Sequence, residues 1–342
     1  LWWVLMWAEW EWNNTFVFFF QAEDGIRDVE RSRGLGDVYK ETGGTQSNLC
    51  AILAHCGRGD EYIVGQMQHC YRWEAGGMAV LGSIQPQPVE TQPDGTLRLA
   101  DIAAAIKPDD PHFARTRLVV LENTTGGQVL PTPYIAQVAP LAKARGLALH
   151  LDGARRFNAA AANAEANGSD VYAEARAIRA HCDTASVCLS KGLGAPVGSL
   201  VLGSAAFIRQ ARRTRKIFGG GMRQAGVLAA AGHYALQHHV RRLAEDHANL
   251  HTLASGLRAV GENHPVLRGR ITVHPWQTNI LFTDVQADVA PAFTAWLAQH
   301  QIRVTSSLYG GQSRLRWVTH LDVNAADVQA ALDCVTRFTV PG

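Results

Sequence analysis

Four short apolar runs constrain the fold of this chain more than any other feature. They are "TRLVVLEN" (116–123), "LALHLDGA" (147–154), "ASVCLSK" (185–191) and "GSLVLG" (198–203), and each ends on polar or small residues. Between the first two lies "YIAQVAPLAKARG", with apolar residues at helical spacing. Strands that alternate with helices are covered on both faces, which demands a largely parallel sheet. Such sheets offer ligands a crevice at the carboxyl ends of their strands. Glu122, Asp152 and Lys191 all stand at such ends.

The rest of the pattern extends the same architecture. "GGTQSNLCAILAHCGRGD" reads as a loop, a helix starting near Thr45 and a glycine-rich stop, while "EYIVG" and "VLGSIQPQPVE" read as short strands. A long helical region is expected from Met222 to about Val260. Strand and helix signals then mix through "ITVHPWQTNILFTDV", "PAFTAWLAQHQ", "RLRWVTHL" and "NAADVQAALDCVTRF". The expectation is an α/β large domain over 41–250 with a mostly parallel central sheet, followed by a smaller α+β domain over 251–342. A length of 342 residues with 47% hydrophobic content suits one large and one small core.

Composition narrows the partners. The 32 basic residues nearly balance the 30 acidic ones, so the chain carries no electrostatic footprint for nucleic acid or an anionic membrane. A small molecule is the expected ligand. None of the six cysteines forms a CxxC pair and most sit in apolar runs, which suits a reducing cytoplasm rather than a disulfide scaffold or a zinc site. The first forty residues stand apart. "LWWVLMWAEWEWNNTFVFFF" holds five of the nine tryptophans, yet acidic and amide residues interrupt it, so it reads as neither signal peptide nor membrane span. The following "QAEDGIRDVERSRGLGDVYK" resembles translated library-adapter sequence. Residues 1–40 are therefore expected to be an anomalous, non-native segment.

"CLSKGLGAPVGS" (188–199) carries the chemical signal. A lysine at a strand end, among glycines that let a flat molecule lie against the backbone, is the arrangement that holds a carbonyl cofactor as a Schiff base. Pyridoxal phosphate is the obvious candidate. Asp152 in "HLDGAR" could pair with its pyridinium nitrogen; read alone, Lys191 serves equally well as a surface loop lysine and Asp152 as a turn residue. "GGTQSN" places glycines and Thr45 at a helix start, where backbone N–H groups favour an anion. "KIFGGGMRQAG" adds a second glycine-rich entry with Lys216 and Arg223 beside it.

These motifs together resemble the low-specificity L-threonine aldolases of the aspartate-aminotransferase fold type. The resemblance runs from about Gly44 to about Phe338 through "GTQSNL", "DEYIVGQ", "EAGGMAVLGSIQPQP", "IKPDDPHFARTRL", "HLDGARRFNA", "CLSKGLGAPVGS", "GGGMRQAG" and "WVTHLDV". It implies reversible retro-aldol cleavage of threonine or allo-threonine to glycine and acetaldehyde on pyridoxal phosphate, in a homotetramer built from dimers. It makes Lys191 the Schiff-base lysine and Asp152 the partner of the pyridine nitrogen. His69, which by its own setting reads as a core histidine, becomes the residue that stacks on the cofactor ring near the substrate hydroxyl. Arg155 and Arg316 become the substrate carboxylate ligands, a role that suits a planar fork. Gly44 and Thr45 form the phosphate cradle, and Lys216 and Arg223 approach the cofactor across a dimer interface. Glu74 either assists His69 or faces solvent.

Two departures qualify the resemblance. Thr125 stands where members often carry a second histidine near the substrate hydroxyl, which bears on the choice between threonine and allo-threonine. The family's Ser-Asp-Thr start and the helix after it are not recognisable in residues 1–40. Two other outcomes are thus carried alongside the aldolase: a related lyase that eliminates at Cβ, and a chain that is inactive without that start.

Overall fold

The structure, a computed structural model, describes residues 43–309 and 312–339. The expected non-native segment 1–40 lies outside the described residues. The first sheet holds β1 (Asp60–Gly65), β2 (Gln85–Val89), β3 (Arg115–Glu122), β4 (Ala148–Asp152), β5 (Thr184–Cys188) and β6 (Ser199–Leu202). Their spatial order is β2-β1-β3-β4-β5-β6, parallel throughout except for β6, which runs antiparallel to β5. Leu118, Val119, Val120 and Leu121 of β3 are all buried, so successive side chains on opposite faces both meet cover. That double burial is why these runs are continuous rather than alternating.

The second sheet joins β7 (Ile271–Val273), β8 (Ile280–Val285), β9 (Thr305–Tyr309) and β10 (Gln312–Val318) in the order β7-β8-β10-β9, all antiparallel. Two main cores accompany the two sheets. One gathers residues from Ile63 to Leu243 and the other from Leu250 to Phe338. The helix Leu243–Asn263 passes from one core to the other, its first residue in the first and Leu250 in the second.

Two expectations are corrected. "VLGSIQPQPVE" is not one strand: Val80 and Leu81 belong to a short helix, Gly77–Gly82, and β2 starts only at Gln85. Left-handed residues at Gly76 and Ser83 bracket that helix and separate it from the strand. Pro86 and Pro88 are tolerated because β2 is an edge strand, where a missing N–H need not serve a ladder. The long helical region is likewise two helices, Gly226–His238 and Leu243–Asn263, broken at residues 239–242.

The strand order also fixes where a ligand can lie. The chain leaves β1 toward β2, then crosses back over β1 to β3. Adjacent strands whose connections depart in opposite directions open a crevice at their carboxyl ends. The crevice between β1 and β3 is flanked by the residues after Gly65 and by Glu122.

Candidate active site

Lys191 owes its position to a tight connection between antiparallel strands. Leu189 N–H donates to Gly198 O at 2.9 Å and Ala195 N–H to Leu189 O at 3.0 Å, closing the loop from β5 to β6. Gly194 N–H donates to Lys191 O at 2.9 Å, with Gly194 at φ +69°, a conformation that L side chains rarely adopt. Lys191 is thereby carried to the carboxyl edge of the sheet. Its Nζ comes within 3.9 Å of where a Cβ on Gly44 would stand.

Gly44 opens the helix α1 (Gly44–His55), preceded by Gly43, which provides no side-chain cap. The first-turn N–H groups of α1 therefore await an acceptor beside the lysine. Thr45 is exposed there.

One turn into α1, Asn48 reaches the strand ends. Its Nδ2 donates to Asp152 Oδ2 at 2.7 Å and to Glu74 Oε1 at 3.0 Å, while its Oδ1 accepts from Ser186 Oγ at 3.0 Å. Asp152 Oδ1 accepts from Ala154 N–H at 3.1 Å and from Ser186 Oγ at 3.4 Å. Asp152 is only 1% exposed, so its position is set by these donors, not by solvent.

His69 stands across the crevice. Its backbone N–H donates to Glu122 Oε2 at 2.6 Å, tying the segment after β1 to the end of β3. Its Nδ1 lies 2.8 Å from Glu74 Oε1, and its side chain is 40% exposed while that of Glu74 is 1% exposed. His69 is thus a rim residue, not a core histidine. Glu74 is bonded to it and does not face solvent. Burial, with Asp152 nearby, pushes the Glu122 carboxyl up to about 8.

The cationic end is built from both sheets. Arg155 follows Asp152 at the mouth of the helix Arg156–Asn167, and Arg316 projects from β10. Neither guanidinium has a hydrogen bond or ion pair among the described residues, and Arg155 Nε is buried without a partner. Burial, and then the charge of Arg316, brings Arg155 down to about 10; burial lowers Arg316 as well. Arg314, on the same face two residues earlier, is fully matched: its Nε and Nη2 donate to Asp284 at 2.7 and 2.8 Å. The free fork of Arg316 is therefore not a general property of that strand.

The turn at residues 125–128 joins the two sheets. Thr278 Oγ donates to Gly127 O at 2.8 Å and Gln128 Nε2 to Pro275 O at 2.7 Å. Gly127 has φ +90°, and a Cβ there would stand 2.9 Å from Ile280 O, so only glycine permits this approach. Thr125 Oγ donates to Glu122 O at 3.2 Å, beside the carboxylate that holds His69. Lys216 lies exposed in the last turn of the helix Ala205–Ile217, and Arg223 lies exposed in the loop that leads to the helix Gly226–His238. Asn48, Ser186 and Glu122 complete the site without having been assigned roles from sequence.

These residues fit pyridoxal phosphate. A primary amine lies beside an uncapped helix start for a phosphate, a buried aspartate is held by fixed donors for a ring nitrogen, and an orphaned guanidinium awaits an anion. Among the described residues, no cluster suited to a metal ion is present and no helix is long and apolar enough to cross a membrane.

Known proteins give the same picture. Residues 38–288 match the beta-eliminating lyase family. The low specificity L-threonine aldolase of Escherichia coli (strain K12) is 49% identical over 281 residues, which cover 82% of this chain and 78% of that protein. Among solved structures, a threonine aldolase from Leishmania major superposes with a TM-score of 0.69 at 23% identity, covering 86% of this chain and 82% of that one. An SPT solved with a PLP internal aldimine gives 0.62 at 19% identity, covering 87% and 71%. At those identities the two structures speak for the fold alone.

Proposed function

Because the chain belongs to the beta-eliminating lyase family, and within it to the low-specificity threonine aldolases, we infer that it cleaves L-threonine reversibly to glycine and acetaldehyde with pyridoxal phosphate as cofactor. The observation that carries this reading is the approach of Lys191 Nζ to Gly44 at an uncapped helix start, beside the buried carboxylate of Asp152. β-Elimination and an inert chain are not favoured by these relatives.

Pyridoxal phosphate, when bound, supplies an electron sink for the pair released as the Cα–Cβ bond breaks. Every other task falls to the chain. Lys191 holds the cofactor through its amine, Asp152 keeps the ring nitrogen protonated, and Gly44 and Thr45 receive the phosphate on backbone N–H groups. Arg155 and Arg316 would grip the substrate carboxylate and so fix which bond at Cα is presented for cleavage. With Nδ1–H donated to Glu74, His69 presents a free Nε2 lone pair that accepts the β-hydroxyl proton. Thr125, bonded to Glu122 O beside His69, is the position that bears on the choice between threonine and allo-threonine.

The wider assignments have separate support. A homotetramer built from dimers, with Lys216 and Arg223 approaching a neighbour's cofactor, is supported by the resemblance and by exposed Val80, Ile217, Val227 and Tyr234. A cytoplasmic location is supported by six buried cysteines, none in a disulfide. Division into a cofactor-binding domain and a small C-terminal domain near residue 250 is supported by the two cores.

The test is direct. Acetaldehyde release from threonine is expected with pyridoxal phosphate present, and Lys191→Ala is expected to reduce it by more than about a thousandfold, the scale of losing a covalent group. Undiminished turnover in Lys191→Ala would remove the cofactor assignment.

A further inference from the structure

The chemistry above gives no role to Asn48, although its side chain makes three hydrogen bonds within the site, as many as that of Asp152. It is 1% exposed and sits in the first half of α1, where asparagine is a poor helix former. A leucine would serve both the helix and the core better. Local preference is usually overridden where function demands it.

The demand is visible in the hydrogen bonds. Asp152 and Glu74 are both buried carboxylates, and both accept from the same amide nitrogen, at 2.7 and 3.0 Å. A carboxamide has two N–H donors, and here each carboxylate takes one. Its oxygen accepts from Ser186 Oγ at 3.0 Å. Reversing the amide would aim its oxygen at two carboxylates and its N–H groups at a hydroxyl, so the orientation is dictated by the partners. Without a donor between them, the two carboxylates would repel each other in a site with little water to screen them.

We propose that Asn48 is a positioning residue whose carboxamide ties the carboxylate facing the cofactor ring to the carboxylate orienting His69, holding the ring end and the proton-accepting end as one frame. This rests on the reading that Asp152 faces the ring nitrogen and His69 the substrate hydroxyl. Ser186 completes the frame by fixing the amide from the opposite side. The proton acceptor and the electron sink are therefore aligned by one side chain of α1, the helix whose first turn also receives the phosphate.

The test uses the full chain freed of cofactor and titrated with pyridoxal phosphate by absorbance. Asn48→Leu is expected to weaken cofactor binding by about ten- to a hundredfold, the range for a residue that holds a ligand-bearing group. It is also expected to lower kcat by a comparable factor with little change in KM for threonine, since Arg155 and Arg316 are untouched. A merely structural role would lower the melting temperature and would not produce that split.

A double-mutant cycle sharpens the result. With Glu74→Gln the second charge is gone, so removing Asn48 should cost cofactor affinity at least about threefold less than in the parent. Should Asn48→Leu fail to fold, Asn48→Asp keeps the shape, reverses the donors and is expected to weaken cofactor binding at least as much. Unchanged cofactor affinity in a folded variant, or strictly multiplicative effects in the cycle, would overturn the proposal. Asp152→Asn separates the two levels. If it too leaves cofactor affinity intact, the assignment of Asp152 to the ring fails; if it weakens binding while Asn48→Leu does not, only the coupling by Asn48 fails.

Discussion

At the end of the site around Asp152, Asn48, Glu74, Asp152 and Ser186 bond to one another at 2.7–3.4 Å, with only Glu74 Oε2 left buried and unbonded, whereas at the other end the guanidiniums of Arg155 and Arg316 have no hydrogen-bond partner among the described residues. Both ends are polar and largely shielded from water, so burial alone does not explain the contrast. On the roles proposed above, what differs is the lifetime of the ligand each would serve. A resident cofactor is best met by groups already fixed in place, because preorganised dipoles need not rearrange during the reaction. A substrate that arrives and leaves needs vacant donors. Two guanidiniums that repel each other become favourable only when an anion lies between them. Arg314 shows the opposite solution on the same strand face, its fork closed on Asp284 and its charge committed to structure.

The largest expected effect tests the fixed end. Asp152→Asn keeps the shape but removes the charge proposed to hold a protonated ring nitrogen. Turnover of threonine is expected to fall by about a hundredfold or more, the scale of losing one preorganised electrostatic group. Affinity for pyridoxal phosphate should fall with it. A variant with normal kcat and normal cofactor binding would show that the ring end is built for packing alone, and the contrast would dissolve.

The next effect tests the vacant end. Arg316→Ala is expected to raise KM for threonine more than tenfold, since truncating one partner of a desolvated charge pair costs roughly 2–5 kcal/mol. Cofactor affinity should not change. Arg314→Ala provides the counterpart: its partner is structural, so KM should stay within about twofold while stability drops by about 1 kcal/mol or less, as befits a partly exposed pair. If both substitutions raise KM equally, the vacancy of Arg316 carries no functional meaning.

Sequence made the strand-end residues legible because a parallel sheet converts one-dimensional position into three-dimensional place. A polar residue closing an apolar run, such as Glu122 or Asp152, must emerge at the carboxyl edge, and Lys191 follows from the glycines that turn β5 into β6. Asn48 and Ser186 were not legible for the same kind of reason. Asn48 lies inside a helix and Ser186 inside a buried strand, where polar residues carry no positional signal until their partners are known. Glu74 was ambiguous because "RWEAGG" precedes a glycine turn and reads as surface, yet the turn folds the carboxylate inward against Asn48. The mistaken strand at Val80 and Leu81 has a similar origin: two exposed apolar residues in a single helical turn imitate a β-run.

The smallest effect concerns Glu122, which belongs to neither end and stands between them. It holds His69 by the backbone, faces Asp152, and is not bonded to Asn48. Burial raises its carboxyl from 4.5 to about 8, so between those values the folded chain keeps a proton that the unfolded chain releases. The sign follows from that difference. The contribution of Glu122 to stability is full below about pH 4.5, declines as pH rises, and is lost above about pH 8. The ceiling on the decline is about 1.4 kcal/mol per pH unit, reduced in practice because the site is partly open to water. His55 and His247, each lowered by burial to about 4, act in the opposite sense: their contribution is present above about 6.5 and lost as pH falls. They are common to parent and variant and cancel in a comparison. Glu122→Gln, which still accepts the His69 N–H, should therefore gain on the parent by roughly 1–2 kcal/mol between pH 6 and pH 8 when the cofactor-free chains are unfolded in urea. Parallel stability curves for the two proteins would mean that Glu122 is already ionised in the fold and that all three carboxylates, not two, belong to the fixed end.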